Sequence, residues 1–297
     1  MSDDKTILVT GASGFLGWHV ANHLNDEYAV GMAYSSNPVE MSGCNAFSLD
    51  ITDPQSIKSC FEQCDPAVIV HCAALASGKT CQDDPPYARA VNIKGTENLL
   101  SAFNRPDGFF IYISTDLVFD GEHAPYRETD ESHPVSVYGN SKREAEQYVL
   151  NTCSNSLVLR PPLMYGPITG MGKGSFAQWI DTQFQTAGKV NLFCDEVRTP
   201  AYVYDIAEAV KRLIADPGPE RIYHVGGPER ITRSAFGYKL AEIRGYDARK
   251  IHETYLADMS TGYPRPRDVS LDSTRIQQTH GLRLTSVEEG IRDTFSQ

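Results

Sequence analysis

Tyr138 and Lys142 are spaced for acid–base chemistry. They lie four residues apart in the stretch 138–142 (YGNSK), so a helix would place both side chains on one face. A phenol of ordinary pKa, about 10, is a poor acid or base near neutral pH, and a neighbouring ammonium lowers that pKa by favouring the phenolate. The spacing therefore predicts that Tyr138 transfers a proton and that Lys142 tunes it. Taken alone, the same pair could simply begin an exposed helix.

A third residue, Thr115, belongs with this pair. Thr115 follows the apolar run Phe109–Ser114, which is typical of a buried strand. At the carboxyl end of such a strand, its hydroxyl could donate a hydrogen bond to a substrate carbonyl while Tyr138 delivers a proton to the same oxygen. Thr115, Tyr138 and Lys142 are therefore the predicted catalytic residues, and the chemistry that they predict is the reduction of a carbonyl group.

The glycine-rich stretch 11–17 (GASGFLG) predicts a dinucleotide-binding turn. It lies between an apolar strand, Thr6–Thr10, and a helix predicted over Trp18–Leu24. Gly11 permits the tight turn, Gly14 lets the backbone approach a pyrophosphate, and Gly17 lets the helix pack closely on the strand. The helix N-terminus then offers free N–H groups to the anion. The residues of this turn expected to contact the cofactor are Gly11, Ser13, Gly14, Phe15, Leu16 and Gly17.

The end of the second predicted strand, Ala29–Tyr34, bears on which dinucleotide is bound. An acidic residue there would bind the free ribose hydroxyls of NAD and repel the extra phosphate of NADP. No carboxylate follows the strand until Glu40, whereas hydroxyl groups stand at Tyr34, Ser35 and Ser36. NADP is therefore the predicted cofactor. NAD remains the alternative, because no Arg or Lys stands beside these hydroxyls to bind a phosphate.

Two later strand ends are expected to complete the cofactor site. Asp50 follows the predicted strand Asn45–Leu49, where a carboxylate can accept a hydrogen bond from the adenine amino group. Small residues after the predicted strand Ala67–Cys72 would let the chain pass close to the cofactor, although simple packing explains them equally well. The remaining predicted cofactor contacts are Asp50, Ile51, Cys72, Ala73, Ala74, Asn92, Tyr138 and Lys142.

The elements that must position these residues alternate between strands and helices. Through the first half of the chain, apolar β-rich runs alternate with stretches of helical periodicity, which is the pattern of a doubly wound parallel sheet. Helices are predicted over Pro54–Cys64, Pro86–Phe103 and Ser141–Asn151, and strands also over Ser156–Leu159 and, returning to the sheet, over Arg221–Val225. The predicted fold class is α/β, a Rossmann-type doubly wound parallel sheet with a smaller C-terminal substrate lobe.

The predicted domains follow this pattern. Residues 1–160 are expected to form an NAD(P)-binding Rossmann domain, with a returning segment near 200–228, and residues 161–199 and 229–297 a substrate-binding lobe. This lobe would close a cleft over the carboxyl ends of the strands. In the second half of the chain, helices are predicted near Asp205–Ile214, Arg233–Gly245 and Ser286–Phe295.

Composition excludes several classes of function. A formal net charge of −11 on 297 residues disfavours binding to nucleic acid or to a membrane surface, and no apolar run of about 18 residues is present to cross a bilayer. Seven cysteines without a CxxC pair predict reduced thiols and no metal site. The polar residues 1–5 predict no signal or transit peptide, and hence a cytoplasmic protein. The sequence allows a homodimer.

The chain resembles the extended short-chain dehydrogenase/reductases, and most closely the dTDP-4-dehydrorhamnose reductase family. The resemblance is carried by residues 114–121 (STDLVFDG), 125–131 (PYRETDE), 138–142 (YGNSK) and 265–272 (RPRDVSLD). It implies that Thr115, Tyr138 and Lys142 are catalytic, that NADPH or NADH is the cofactor, and that the 4-keto group of a nucleotide-linked deoxysugar is reduced. The chain departs from the family pattern at Phe15, Leu117 and Ala145, where Gln, Tyr and Gly are usual.

The same motifs leave two alternatives open. The regulatory β subunit of methionine adenosyltransferase is similar through the STD…VFDG stretch and binds NADP as a partner protein, so the residues 115, 138 and 142 could be present without being used. Sugar-nucleotide epimerases and dehydratases share the glycine turn and the YxxxK spacing.

The substrate is expected to meet residues of both halves of the chain. Because a guanidinium group binds phosphate through two hydrogen bonds, Arg198, Arg265 and Arg267 are the arginines predicted near a substrate diphosphate. Surface ion pairing explains each of them equally well. Val118 and Phe119, close to Thr115 in sequence, are also predicted substrate contacts.

Overall fold

The computed structural model describes residues 6–296, so the polar segment 1–5, on which the expectation of no leader peptide rests, lies outside the described residues. The strands are β1 Thr6–Thr10, β2 Ala29–Tyr34, β3 Asn45–Ser48, β4 Val68–His71, β5 Phe109–Ile113, β6 Ser156–Arg160, β7 Met164–Tyr165, β8 Val190–Phe193, β9 Val197–Arg198, β10 Ala201–Tyr202, β11 Ile222–His224, β12 Ile231–Thr232 and β13 Ile251–Thr254. The α-helices are α1 Phe15–Leu24, α2 Pro54–Cys64, α3 Gly78–Asp83, α4 Pro85–Arg89, α5 Gly95–Ala102, α6 Val137–Thr152, α7 Phe176–Thr186, α8 Val203–Ala215, α9 Arg233–Arg244, α10 Thr274–His280 and α11 Val287–Thr294.

Seven parallel strands form the central sheet, in the order β11-β6-β5-β4-β1-β2-β3. The chain runs outward from β1 to β3 and then returns to add β4 on the other side of β1. The strand order therefore reverses between β1 and β4, which is where such sheets bind ligands at the carboxyl ends of their strands. The predicted Rossmann-type α/β fold is confirmed. The strand expected at Arg221–Val225 is also confirmed, since β11 pairs with β6.

Helices cover both faces of this sheet. Alternate residues of β1 point in opposite directions, so that Val9 belongs to one apolar cluster and Leu8 to the other. The first cluster includes residues of α1 and α8, and the second includes residues of α2, α5 and α6. Because β1, β4 and β5 lie inside this double layer, the loops at their carboxyl ends are held in place by a buried sheet.

The helix predicted over Pro86–Phe103 is divided in the structure. It consists of α4, a π-helical turn at Ala90–Lys94, and α5. A π turn widens the helix and leaves backbone groups available to other partners, and such turns occur often at functional sites. Among residues 6–296, no helix is both long and apolar enough to cross a membrane.

The C-terminal half holds more helix than the sequence predicts. Besides α8, α9 and α11, the structure forms α7 and α10, which the sequence does not predict. Helix α7 contains Thr and several aromatic residues, which are only average helix formers, and it depends on the burial of Ala177, Ile180 and Phe184. These side chains join an apolar cluster with residues of α9 and α11, and the parallel pair β8 and β13 lies beside it.

Candidate active site

The glycine turn leaves the chain no room for side chains at two positions. Gly11 has φ +65, and a Cβ atom there would lie 2.8 Å from the Cα atom of Ala73 at the end of β4. Gly17 lies in the first turn of α1, where a Cβ atom would lie 2.4 Å from the carbonyl oxygen of Gly11. The turn therefore packs directly on the neighbouring strand end, and only glycine allows it.

Alanine at position 17 is expected to damage both cofactor binding and stability. The added methyl group must push the glycine turn and α1 apart, which is expected to cost about 1–3 kcal/mol and to weaken NADPH binding about tenfold or more. Thermal unfolding and NADPH titration would measure the two effects. Gly188→Ala is the matched control, because a Cβ atom at Gly188 meets nothing within 4 Å. Equal effects of both variants would contradict this account of the turn.

The first cleft begins at this turn. Its volume is about 600 Å³, within the usual range for a ligand pocket. Helix α1 begins after Gly14, and no side chain of residues 6–296 caps it, so its first N–H groups are left for a ligand. Of the residues predicted to bind the cofactor, those that line this cleft are Gly11, Ser13, Gly14, Phe15, Leu16, Gly17, Ser35, Ser36, Asp50, Ile51, Cys72, Ala73, Ala74, Tyr138 and Lys142.

The donor set of this cleft fits a dinucleotide pyrophosphate. A glycine cradle that a Cβ atom would fill and an uncapped helix N-terminus together suit an anion. Lys142 is the only cation that lines the first cleft within the described part of the chain. No group of three or more His, Cys, Asp or Glu residues in the range 6–296 could hold a metal ion.

Two residues predicted to contact the cofactor do not line the first cleft. Tyr34 is partly buried and packs against the apolar cluster under α1. Asn92, in the π turn, is 1% exposed, and its side chain bonds to the backbone of Leu75 and to the Ser141 hydroxyl. The burial and hydrogen bonds of Asn92 correct the prediction for that residue, whereas the contact of Tyr34 stays a prediction. Asn92 instead ties the loop after β4 to the first turns of α6.

A buried hydrogen-bond chain fixes the end of β4. The Ala73 N–H group donates to Thr10 Oγ1, which lies 2.7 Å from His71 Nδ1, and His71 Nε2 lies 3.0 Å from Thr96 Oγ1. The Thr96 hydroxyl donates to the backbone carbonyl of Asn92, so the imidazole donates from Nε2 and accepts at Nδ1. Burial, and then the charge of Lys142, lower the pKa of His71 to about 3. This imidazole is a neutral support for the loop.

Helix α6 presents Tyr138 and Lys142 as the spacing predicts. The Ser136 hydroxyl caps the helix by accepting from the Gly139 N–H group at 3.1 Å, which places Tyr138 in the first turn and Lys142 one turn later. Lys142 is 2% exposed, and its Nζ atom donates to the Ile113 carbonyl oxygen at 2.7 Å. It also lies 4.1 Å from the centre of the Tyr112 ring. The ammonium group is thus anchored to the end of β5.

The electrostatics of this pair differ from the prediction. Burial lowers the pKa of Lys142 to about 7, against the opposing effects of Glu146 and Cys72. Burial, and then the carboxylate of Asp116, raise the pKa of Tyr138. The pKa of Tyr138 is therefore raised overall, the opposite direction to the expected one. The phenol keeps its proton at neutral pH, which suits a proton donor.

A second cleft, of about 400 Å³, adjoins the first. Thr115 and Tyr138 line both clefts. The two hydroxyl groups thus stand where the clefts meet. A cofactor in the first cleft and a carbonyl compound in the second would both reach them.

Three arginines line the second cleft around one buried carboxylate. Arg198, Arg233 and Arg265 each donate to Glu196 Oε1, at 2.8, 3.1 and 2.8 Å. Burial alone would raise the pKa of Glu196, but Arg233, Arg198 and Arg265 outweigh it and lower that pKa to about 2. With three cations and one fixed anion, this arginine cluster keeps an excess positive charge that suits an anionic group.

The structure places the other predicted substrate residues differently. Val118 and Phe119 are 0% exposed and pack with Tyr126 and Val269 in a small apolar cluster. The prediction that they contact the substrate is therefore corrected. Arg267 lies outside the lining of the second cleft, with its side chain 71% exposed and 3.6 Å from an Asp195 oxygen.

Sequence reasoning missed three residues of this site. Asp116 could have been found, because it directly follows Thr115 in the strand-end motif. Glu196 lies two residues before the predicted Arg198 and bonds to it. Arg233 carries no local signal, since it meets Glu196 only through the packing of distant segments. Charged residues scattered through a loop-rich region cannot be grouped from their spacing alone.

The chain is similar to known reductases and to a regulatory subunit. The sequence profile of the RmlD substrate binding domain matches residues 5–297. A probable low-salt glycan biosynthesis reductase, Agl14, from Haloferax volcanii is 31% identical over 290 residues, which cover 95% of each chain. Methionine adenosyltransferase 2 subunit beta from Xenopus laevis is 30% identical over 307 residues, which cover 99% of this chain and 90% of the relative.

A solved structure shows the same fold. The dTDP-4-dehydrorhamnose reductase from Bacillus anthracis in complex with NADP superimposes with a TM-score of 0.86, at 23% identity and with 98% of each chain covered. The profile match over residues 5–297 confirms the resemblance to the extended short-chain dehydrogenase/reductases that the motifs carry. The chain belongs to the RmlD substrate-binding domain family.

Proposed function

We propose that this protein is an NADP-preferring reductase of the 4-keto group of a nucleotide-linked deoxysugar. One observation carries the proposal: the hydroxyl groups of Thr115 and Tyr138 stand at the junction of a cleft that fits a dinucleotide and a cleft lined by arginines. A carbonyl oxygen at that junction would find two hydroxyl donors, and the arginine cluster would bind the diphosphate of the same molecule.

In this proposal, each catalytic residue has a separate role. When bound, NADPH supplies the hydride. Tyr138 donates its phenolic proton to the carbonyl oxygen, and its raised pKa keeps that proton in place until the reaction. Thr115 polarises the carbonyl by hydrogen bonding. Lys142, held at the end of β5, supplies positive charge in the first cleft and binds the nicotinamide ribose.

The relatives support two parts of this function, the broad enzyme class and the cofactor. Membership in the RmlD family and the similarity to the Haloferax reductase support the broader class, an NAD(P)-dependent oxidoreductase of the extended short-chain type. The NADP complex of the Bacillus anthracis enzyme supports the choice of NADP, with NAD as the alternative. The division into a Rossmann domain (1–160, with a returning segment near 200–228) and a substrate lobe (161–199 and 229–297), a cytoplasmic location and a homodimer remain parts of the proposal.

The second candidate function is that of a cofactor-binding regulatory subunit. The similarity to methionine adenosyltransferase 2 subunit beta favours it. Steady-state NADPH oxidation with a dTDP-4-keto-6-deoxysugar separates the two candidates. A reductase oxidises NADPH only when the keto sugar is present. Stable co-purification with a second enzyme, and no turnover with any nucleotide-linked keto sugar, would favour the regulatory subunit.

The preference for NADP can be tested at the end of β2. Ser35 is exposed and lines the first cleft. A carboxylate at this position would repel a 2′-phosphate, so Ser35→Asp is expected to raise the Kd of NADPH by about tenfold while leaving the Kd of NADH unchanged or lower. Ser35→Asn, which is polar but neutral, is the matched control. If Ser35→Asp weakened both dinucleotides equally, the adenosine ribose would not lie beside Ser35.

A further inference from the structure

Asp116 lies between the catalytic hydroxyl of Thr115 and the arginine cluster. Its carboxyl group is 3% exposed, and Oδ1 accepts from the Thr115 hydroxyl at 3.1 Å. Its other oxygen, Oδ2, finds no hydrogen-bond partner within residues 6–296 and lies 3.5 Å from Arg198 Nε. An ionised carboxylate is therefore held here by one hydroxyl and one long ion pair, which is poor compensation for its burial.

The protonation state of Asp116 decides where the Thr115 hydroxyl points. An ionised carboxylate can only accept, so it takes the single Thr115 proton that the substrate carbonyl needs. A protonated Asp116 can instead donate to Thr115 Oγ1. That oxygen already accepts from the Leu117 N–H group at 3.2 Å, so a second donor fills its acceptor sites and leaves its proton free for the substrate.

The arginine cluster controls the charge near Asp116. The guanidinium fork of Arg198 is already bound, with Nη2 donating to Glu196 at 2.8 Å and Nη1 to the Val197 carbonyl at 2.6 Å. Arg233 Nε and Arg265 Nε, by contrast, are buried and have no hydrogen-bond partner in the described part of the chain. An incoming anion would meet these two arginines, and its negative charge would lie on the same cluster that faces Asp116.

We propose that Asp116 is a positioning residue that couples anion binding at the arginine cluster to the hydrogen bond of Thr115. When the diphosphate of the substrate binds, the Asp116 carboxylate takes up one proton from solvent, donates to Thr115 Oγ1, and turns the Thr115 hydroxyl toward the carbonyl to be reduced. This inference rests on the proposed function for the identity of the anion. It adds that a correctly bound substrate itself prepares the catalytic hydroxyl.

The electrostatics of Asp116 agree with this geometry. Burial raises the pKa of Asp116 to about 6, opposed by Arg198, Thr115 and Arg233 and assisted by Glu196. Tyr138 also faces this carboxyl group and carries no charge at neutral pH. Near pH 7 the free protein therefore holds Asp116 mostly ionised, and added negative charge favours the neutral form. Because the complex then binds more protons than the free protein, anion affinity must fall as pH rises above about 6.

Calorimetric titration tests the coupling without any turnover. The probe is dTDP-glucose, whose diester phosphates keep their charge across this pH range, added to the full chain loaded with NADP⁺. Repeating the titration in non-phosphate buffers of different ionisation enthalpy measures the protons taken up. We expect uptake of about half a proton or more near pH 7, and a Kd that rises about tenfold between pH 5.5 and pH 8.5.

Variants at position 116 test whether Asp116 is the group that takes up the proton. Asp116→Asn keeps the shape of the side chain and can donate to Thr115, so it is expected to bind dTDP-glucose with a proton uptake smaller by the share of Asp116, and with a flatter pH profile; uptake by Lys142, whose pKa is about 7, is common to both proteins. Asp116→Ser, which also lacks a titrating group, serves if the Asn variant unfolds at a lower temperature. Asp195→Asn is the matched control. It removes a carboxylate beside Glu196 that pairs with Arg267 rather than with the cluster, and the proton uptake should remain.

The outcomes separate this inference from the function on which it rests. Binding with no proton uptake in the unsubstituted protein, or with the same uptake in Asp116→Asn, would overturn the role of Asp116 and leave the reductase proposal standing. Failure of both dTDP-glucose and UDP-glucose to bind at pH 6 would overturn the nucleotide-sugar proposal, and this inference with it.

Discussion

Phenylalanine in place of Tyr138 is expected to lower kcat for the keto sugar by about 10²–10⁴-fold, because the carbonyl oxygen loses its proton donor. NADPH affinity should change little, since the aromatic ring remains in the wall of both clefts. Stopped-flow measurement of NADPH oxidation under single-turnover conditions would isolate this step from product release.

Stability and a second tyrosine provide the controls for this result. Thermal unfolding of Tyr138→Phe should match that of the unsubstituted protein within a few degrees. Tyr238→Phe, which removes an equivalent hydroxyl from the exposed side of α9, should leave kcat unchanged. A Tyr138→Phe protein that kept more than a tenth of the activity would show that another group supplies the proton.

Methionine in place of Lys142 is expected to abolish activity almost completely, with a loss of about 10³-fold or more in kcat/KM. Lys142 is the one cation that lines the first cleft in the described chain, and its Nζ atom is fixed to the Ile113 carbonyl. Methionine has a similar length but carries no charge. NADPH titration and steady-state kinetics would measure the two parts of the effect.

The stability of Lys142→Met is expected to stay the same or to rise, although its activity falls. Because burial lowers the pKa of Lys142 to about 7, the unfolded chain binds one more proton than the folded protein between about pH 7 and the ordinary lysine pKa. The free energy of unfolding therefore gains a positive slope with pH from this group, and Lys142→Met should lose that slope while being at least as stable at pH 7. A variant that retained activity within tenfold would remove Lys142 from the catalytic set.

The central sheet could be predicted because its signals are local. Most strands from β1 to β6 are short apolar runs bounded by polar or turn residues, β3 at the sheet edge being the exception, and crossover helices of clear periodicity follow several of them. Helix α7 could not be predicted in this way, because its stability comes from Ile180 and Phe184 packing against α9 and β8 rather than from its own residues. The π turn that divides the predicted helix Pro86–Phe103 has no local signal either, and its Asn92 side chain bonds to Leu75 and Ser141 in other segments.

In the candidate site too, the residues with a local signal could be predicted and those placed by packing could not. The glycine turn and the pair Tyr138 and Lys142 are each contained in a few consecutive residues, so their spacing alone places them. Val118 and Phe119 follow Thr115 directly, yet the 3₁₀ turn at Asp116–Val118 directs them into a buried cluster. Sequence proximity to a catalytic residue is therefore a poor guide to substrate contact where a tight turn intervenes.

The origin of the hydrogen delivered to the sugar tests the central claim most directly. NADPH carrying deuterium at both C4 positions of the nicotinamide is incubated with the protein and a dTDP-4-keto-6-deoxysugar, and the product is analysed by mass spectrometry and NMR. The account predicts one deuterium atom at C4 of the product sugar, with one NADPH oxidised for each sugar reduced. Isomerised sugar without net NADPH oxidation would indicate an epimerase. Bound NADPH with no labelled product from any nucleotide-linked keto sugar would contradict the account.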